Sequence, residues 1–365
     1  MTTASLDQDV AGLFAVGFDG TSPSPEVLEL IQRGVYGVVL FGRNVRDAEQ
    51  VAELVGELKR ATGRPLLVSI DQEGGRVARL RSPQGFTELP PMRALGATGD
   101  ADLAYEVGAL LGRELRAVGI DQDYAPVVDV DTNPQNPVIG DRSFSRDPRQ
   151  VARMGLAVAR GLQSAGVAAC AKHFPGHGDT SQDSHEELPR LSHQLRRMRE
   201  VELVPFCALA GARVASAMTA HVVFEALDER RPATLSAQVM RLLREDCGYD
   251  GCVISDDLEM KAVAEHFPLE EAVPAALSAG VDALLVCHRA GVQHRAIDLA
   301  REAVEGGRVT RERLAEARRR VAELLTWASP PPDSRCVKDS LRTEAHLALA
   351  ARIPPLTTGR DPTLA

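Results

Sequence analysis

Positive charge is the scarcest feature of this chain relative to its size. Its 365 residues carry 42 Lys and Arg against 51 Asp and Glu, a formal net charge of −9, and no stretch interleaves basic with aromatic side chains. A nucleic-acid surface needs clustered cations to displace counterions from phosphates, so the expected partner is a small molecule. Long apolar runs are missing too, and no membrane span is expected. Residues 1–9 have no basic start, no apolar core and two acids, so no secretory signal is expected there. Cysteines number only six, none in metal-finger or disulfide-framework spacing. Cys170, Cys252 and Cys287 fall in apolar strand-like runs, and Cys207 and Cys247 in helical patterns. All five are expected to be small buried thiols, suiting a reducing cytoplasm. Apart from Pro330-Pro331-Pro332 there is no low-complexity segment, and no short repeat. What remains is 44% apolar and 25% charged residues, ordinary for a globular chain with a full core.

Short apolar, β-branched runs recur, each followed by an amphipathic stretch of helical length. Eight strand candidates can be read: Gly12 to Phe18, Tyr36 to Phe41, Leu66 to Ile70, Ile120 to Val128, Val167 to His173, Val214 to His221, Cys252 to Ser255 and Ala283 to Cys287. Their near-continuous apolar character fits parallel strands buried on both faces. Helices are expected over Asp47 to Arg60, Ala101 to Val118, Pro148 to Ser164, Gln194 to Leu209 and Ser236 to Glu245, with Ser236 as an N-cap and Gly248 as a stop. Eight such units in roughly 320 residues match a (β/α)8 TIM-type barrel, with a doubly wound open sheet as competitor. Acids, histidines or a lysine stand at the ends of five strands, from Asp71 through Asp129 and Asp131, Lys172 and His173, and His221 to Asp256 and Asp257. Convergence from that many strands favours a closed ring. A single catalytic domain over residues 1–328 is expected, followed by a proline-containing tail, 329–365, with one short helix near Ser340 to Ala351.

The densest chemistry lies in Lys172 to His185, Lys-His-Phe-Pro-Gly-His-Gly-Asp-Thr-Ser-Gln-Asp-Ser-His, where a strand empties into a polar loop broken by Pro175, Gly176 and Gly178. Asp183 stands two residues before His185; a carboxylate accepting the imidazole N–H fixes its tautomer and favours its protonated form, making a usable proton donor. Ile254-Ser255-Asp256-Asp257-Leu258 ends another strand with paired acids. One can act as nucleophile while the other caps the next helix, and the pattern alone does not choose. Asp71-Gln72-Glu73-Gly74-Gly75-Arg76-Val77-Ala78-Arg79 joins carboxylates to guanidiniums, a common pair for gripping vicinal hydroxyls, and Arg142 sits between apolar residues in a long loop, either in a site or in a structural salt bridge. His173, His177, Asp179, Asp183 and His185 could in number ligate zinc, but Lys172 beside them would repel a dication, so no metal is expected. His288 and His294 read as ordinary loop and helix residues, and His177 and Asp179 as scaffolding for their loop.

These motifs together resemble glycoside hydrolase family 3, and within it the bacterial β-N-acetylglucosaminidases. The Lys172–His185 and Ser255–Met260 stretches carry the resemblance. Phe41-Gly42-Arg43-Asn44, Asp71 to Val77, Tyr124 to Val130 and Gly140 to Phe144 stand in the matching order over roughly residues 10 to 327. The resemblance implies a (β/α)8 barrel and a retaining mechanism in which Asp256 is the nucleophile, His185 the general acid/base and Asp183 the residue that polarises it. It implies that Asp71, Arg79, Arg142, Lys172 and His173 bind the terminal sugar, without metal or cofactor. The expected substrate is a carbohydrate with terminal N-acetylglucosamine, from muropeptide fragments or chitin oligosaccharides, handled in the cytoplasm. The alternatives are a phosphorylase of the same family, because a histidine acid/base presents no fixed negative charge to phosphate, and a metal-dependent barrel hydrolase. The second α/β domain carried by some members has no counterpart in the tail.

Overall fold

A computed structural model describes residues 3–182, 184, 187–334 and 337–356. Eight parallel strands close on themselves in sequence order: β1 (Phe14–Val16), β2 (Gly37–Leu40), β3 (Leu67–Ile70), β4 (Gln122–Asp123), β5 (Ala168–Phe174), β6 (Ser216–Thr219), β7 (Cys252–Asp257) and β8 (Ala283–Val286). β1 pairs with both β2 and β8, which seals the ring. The eight expected strands are all present and the open-sheet alternative is excluded. Full burial of the strands explains why they read as continuous apolar runs and not as alternating ones.

Local chemistry sets the helix boundaries. Asp47 accepts the Gln50 N–H at 2.9 Å to begin the helix Ala48–Arg60, and Asp147 caps Pro148–Ser164, whose first residue is a proline already fixed in helical φ. Ser236 caps Ala237–Arg241 as expected, but the helix then widens into a π-helical turn, Leu242–Asp246, before Gly248 at φ +64°. The helix expected over Gln194 to Leu209 is two, Leu195–Glu200 and Leu203–Gly211, separated where Val201 leaves helical dihedrals. In the tail, Glu344–Ala350 is helical within the expected stretch, and a separate short helix, Val337–Ser340, precedes it.

The two ends of the barrel differ in chemistry. At the strand starts, buried carboxylates act as fasteners. Asp282 ahead of β8 binds Arg244 at 2.7 Å and also Arg313 and Arg320, while Asp121 ahead of β4 binds Lys59 and Arg116, each at 2.8 Å. Ser329 donates to the same Asp121 through its N–H and hydroxyl, at 2.8 and 2.7 Å, tying the start of the tail to the barrel floor. Beyond it, Val337, Leu341 and Ile353 are buried and His346 meets Glu114 at 2.9 Å. With stability secured at the floor, the strand carboxyl ends are left for chemistry.

One sequence expectation is corrected. Cys207 and Cys247 are not free thiols but a disulfide, with Cα atoms 4.3 Å apart. The helix Leu203–Gly211 lies against the Leu242–Asp246 turn, so residues 40 apart in sequence meet through packing that no cysteine spacing encodes. Cys170, Cys252 and Cys287 are buried thiols as expected, and burial pushes the Cys170 thiol up to about 12. The cysteines therefore no longer argue for a reducing compartment. Among the described residues, no helix is long and apolar enough to cross a membrane.

Candidate active site

The strand carboxyl ends surround one pocket. It is lined by Phe41 after β2, Asp71 and Arg79 after β3, Arg142 after β4, Lys172, His173, His177 and Ser184 from β5 and its loop, Asp256 and Asp257 on β7, and His288 after β8. Six residues expected at a site, Asp71, Arg79, Arg142, Lys172, His173 and Asp256, are thus brought together. Asp183 and His185 lie outside the described residues.

On one wall a buried charge network fixes the polar groups. Gln72–Gly74 and Val77–Ala78 form a small hairpin, closed because Gln72 Oε1 accepts the N–H groups of Arg79 and Leu80 at 2.9 and 3.0 Å. Gly75, at φ +60°, turns it so close to Pro91 that a Cβ would sit 2.7 Å from that ring. The hairpin delivers Glu73, whose carboxylate takes both Nε and an Nη of Arg142 at 2.8 Å and lies 2.6 Å from Lys172 Nζ. Lys172 also reaches Asp71 at 2.7 Å, and Asp71 is 3.5 Å from Arg79. Burial alone would discharge these groups. Arg142 and Lys172 nevertheless hold Glu73 far below the usual carboxylate range, and Asp71 and Glu73 hold Lys172 above the usual amine range. Arg142 makes a buried salt bridge with Glu73 and also lines the pocket.

Lys172 and His173 are adjacent on β5 and a regular pleat would part them. The register of β5 against β6 shifts between Ala171 and Phe174, and this irregularity lets both side chains face the pocket. His173 donates Nδ1–H to Asp129 Oδ2 at 2.7 Å, directing Nε2 away from that carboxylate, and Asp129 also accepts the backbone N–H groups of His173 and His177. Burial would raise the Asp129 carboxyl, but His173 outweighs it and the group is held low. His177 is braced between Thr180 Oγ1 at 2.8 Å and Ser184 Oγ at 2.9 Å, and burial pulls it down to about 4, so it is neutral at ordinary pH. Gly178 passes so near Val130 that a Cβ would fall 1.8 Å from its carbonyl oxygen. Asp179 joins Thr132, His193 and Arg197 at the loop base. The first turns of this loop are therefore fixed to the scaffold.

The opposite wall separates the paired acids. Asp257 Oδ1 accepts the N–H groups of Glu259 and Cys287 at 3.1 and 3.3 Å, and its own N–H donates to Asp256 Oδ1 at 2.9 Å. Asp257 is thus the structural partner, and Asp256 presents its carboxylate from the end of β7. His221, fully buried, reaches the Asp257 carbonyl through Nε2 at 3.0 Å and Thr234 through Nδ1 at 2.8 Å. His288, expected to be an ordinary loop residue, instead lines the pocket with Nε2 3.0 Å from Asp257 Oδ2.

A profile of the "Glycosyl hydrolase family 3 N terminal domain" matches residues 5–324. The chain belongs to glycoside hydrolase family 3. Among family 3 relatives, "Beta-hexosaminidase A" of Pseudoalteromonas piscicida is 37% identical over 367 residues, covering 91% of this chain; the chain spans only 61% of that relative's length. A family 3 β-N-acetylglucosaminidase from Paenibacillus sp. str. FPU-7 superposes with a TM-score of 0.89 at 42% identity, over 95% of this chain and 68% of that one. NagZ from Neisseria gonorrhoeae, solved with N-trifluoroacetyl-D-glucosamine, gives a TM-score of 0.76 at 32% identity, over 94% of this chain and 97% of that one. By family, the protein is a glycoside hydrolase on a (β/α)8 barrel.

The sequence did not assign His288, which lines the pocket, or Glu73, Asp129 and His221, which hold its lining residues from behind. Glu73 shares the period-two face of Asp71, which is a signal that could have found it. Asp129 and His221 were visible as strand-end polar residues without a role. His288 had no local signal, because its partner lies 31 positions away on another strand.

Proposed function

We propose that the protein is a retaining exo-β-N-acetylglucosaminidase. The observation that carries this reading is the division of the pocket into one wall of buried, mutually neutralised charges and an opposite wall presenting Asp256. Fixed carboxylates and cations suit the hydroxyls of a terminal sugar, and a carboxylate set apart from them suits attack on an anomeric carbon. In this reading Asp256 forms the glycosyl-enzyme. His185, polarised by Asp183, protonates the leaving oxygen and then activates water. Asp71, Arg79, Arg142, Lys172 and His173 hold the sugar and its N-acetyl group, with Asp129 orienting His173. The names of the related glucosaminidase and hexosaminidase support N-acetylglucosamine as the sugar.

Muropeptide fragments are the proposed natural substrate, with chitin oligosaccharides second, and the cytoplasm is the proposed location. Residues 1–328 are the proposed catalytic unit and 329–365 a tail whose first residues brace its floor, which the Ser329–Asp121 contacts support. The deciding assay offers N-acetylglucosaminyl and glucosyl aryl glycosides in parallel, with phosphate and chelator as variables. Free N-acetylglucosamine at a rate indifferent to both additives supports the reading. A sugar 1-phosphate as main product indicates a phosphorylase, and loss of activity with chelator a metal enzyme. Fractionation with thiol labelling of Cys207 and Cys247 tests the location.

A further inference from the structure

We infer that His288 is a positioning residue for Asp256, acting through Asp257 by cancelling that neighbour's negative charge. The inference rests on the reading of Asp256 as nucleophile. Two acids adjacent at the end of β7 present an electrostatic problem: a carboxylate beside another carboxylate ionises less readily, and a nucleophile must be ionised. The Asp257 backbone N–H donates to Asp256 Oδ1 at 2.9 Å, which holds the Asp256 carboxylate against the Asp257 backbone. The Asp257 carbonyl is held by His221 and one carboxylate oxygen by two N–H groups. Among the described residues, the titratable cation that faces Oδ2 is His288, at 3.0 Å.

The geometry distinguishes this pair from an ordinary structural one. The His288 side chain is 50% exposed and opens on the pocket, whereas that of Asp257 is 11% exposed. Its backbone N–H is anchored to Glu259 Oε2 at 2.7 Å and its ring lies 5.6 Å from the Phe41 ring, so the imidazole is held in place. The charged groups around it are few. Asp257 and Glu259 favour its proton, and Arg43, whose guanidinium stands 4.3 Å over Phe41 and is paired with Asp19, disfavours it. Arg289 is committed to Glu259, and Glu26 lies with Asp19 across the neighbouring cleft. The contact with Asp257 raises the His288 pKa, while burial raises that of Asp257. We place the shared proton on His288, because Asp257 already accepts the N–H groups of Glu259 and Cys287, which favour its carboxylate form against the burial.

The test is the pH profile of kcat/KM on an N-acetylglucosaminyl aryl glycoside, for wild type, His288→Gln and His288→Lys, each first shown to be folded by its melting temperature. Removing the cation restores the repulsion, so His288→Gln should move the acid limb upward by roughly 1 pH unit, the size expected of a close like charge. His288→Lys, which returns a positive charge without the imidazole, should bring the limb most of the way back. A His288→Gln limb superimposed on wild type, or a His288→Lys limb no different from that of His288→Gln, overturns the inference. Asp256→Ala is measured alongside. If it is inactive while the limb does not move, only the role of His288 fails; if it retains wild-type turnover, the nucleophile reading fails and this inference with it.

Discussion

Glu73 offers the sharpest test of how the wall proposed to face the sugar is held. Its side chain is 2% exposed and is the shared anion of Arg142 and Lys172, themselves 2% and 3% exposed. Glu73→Ala leaves both cations buried without their shared partner, with Asp71 and Asp129 still nearby, and removing one partner of such a group costs about 3–5 kcal/mol. An unfolding entropy of about 2.1 cal/mol/K per residue gives roughly 0.8 kcal/mol/K for this chain, so the melting temperature should fall by about 4–7 °C. Because Glu73 is held far below its unfolded value, its contribution is complete above the usual carboxylate range and disappears only in strong acid. The deficit should therefore be the same at pH 5 and pH 8. Arg142 and Lys172 would then repel one another, so kcat/KM on an N-acetylglucosaminyl aryl glycoside should drop at least about tenfold, a loss of about 1.4 kcal/mol in transition-state binding. Calorimetry and steady-state kinetics on the same preparation measure both. A Glu73→Ala protein melting within about 1 °C of wild type with unchanged kcat/KM refutes this account of the wall.

Reducing the Cys207–Cys247 bond, or replacing both residues with Ser, should cost about 4 kcal/mol for a loop of this size, lowering the melting temperature by roughly 5 °C. Turnover at 25 °C should be unchanged, since neither cysteine lines the pocket; an unshifted melting curve contradicts the bond's contribution. His177, neutral down to about pH 4 when folded, takes up a proton near 6.5 when unfolded. Stability should thus fall as pH drops from 6.5 to 4, by up to about 3 kcal/mol. His177→Asn should flatten that slope in pH-dependent melting curves, and an identical slope excludes the residue as its source. His185→Ala should slow substrates with poor leaving groups far more than activated aryl glycosides, because only the former need protonation; equal losses argue against it as the acid.

The sequence made the barrel legible because buried parallel strands leave continuous apolar runs and because strand-end acids appeared at too many strands for an open sheet. Asp71, Lys172, His173 and Asp256 stood out as polar residues at strand carboxyl ends, whereas Arg79 and Arg142 lie farther along the following loops and drew their expected roles from the family resemblance. The strand pattern left the choice between Asp256 and Asp257 open, and only the family resemblance made it. That choice depends on which carboxylate meets the N–H groups of Glu259 and Cys287, and Cys287 belongs to the next strand. His288 and the Cys207–Cys247 bond were missed on similar grounds, since both are made by packing between segments distant in sequence. The break at Val201 and the widened turn after Arg241 are local, yet helix-compatible residues continue through both, so periodicity alone runs past them.

The central claim is a covalent glycosyl-enzyme on Asp256. Its most direct test is peptide-mapping mass spectrometry of protein quenched during turnover of an activated N-acetylglucosaminyl glycoside whose intermediate is hydrolysed slowly. The account predicts an added N-acetylhexosamine on the peptide containing Asp256, absent from Asp256→Ala. A label on another residue, or turnover through a burst with no labelled peptide, contradicts it.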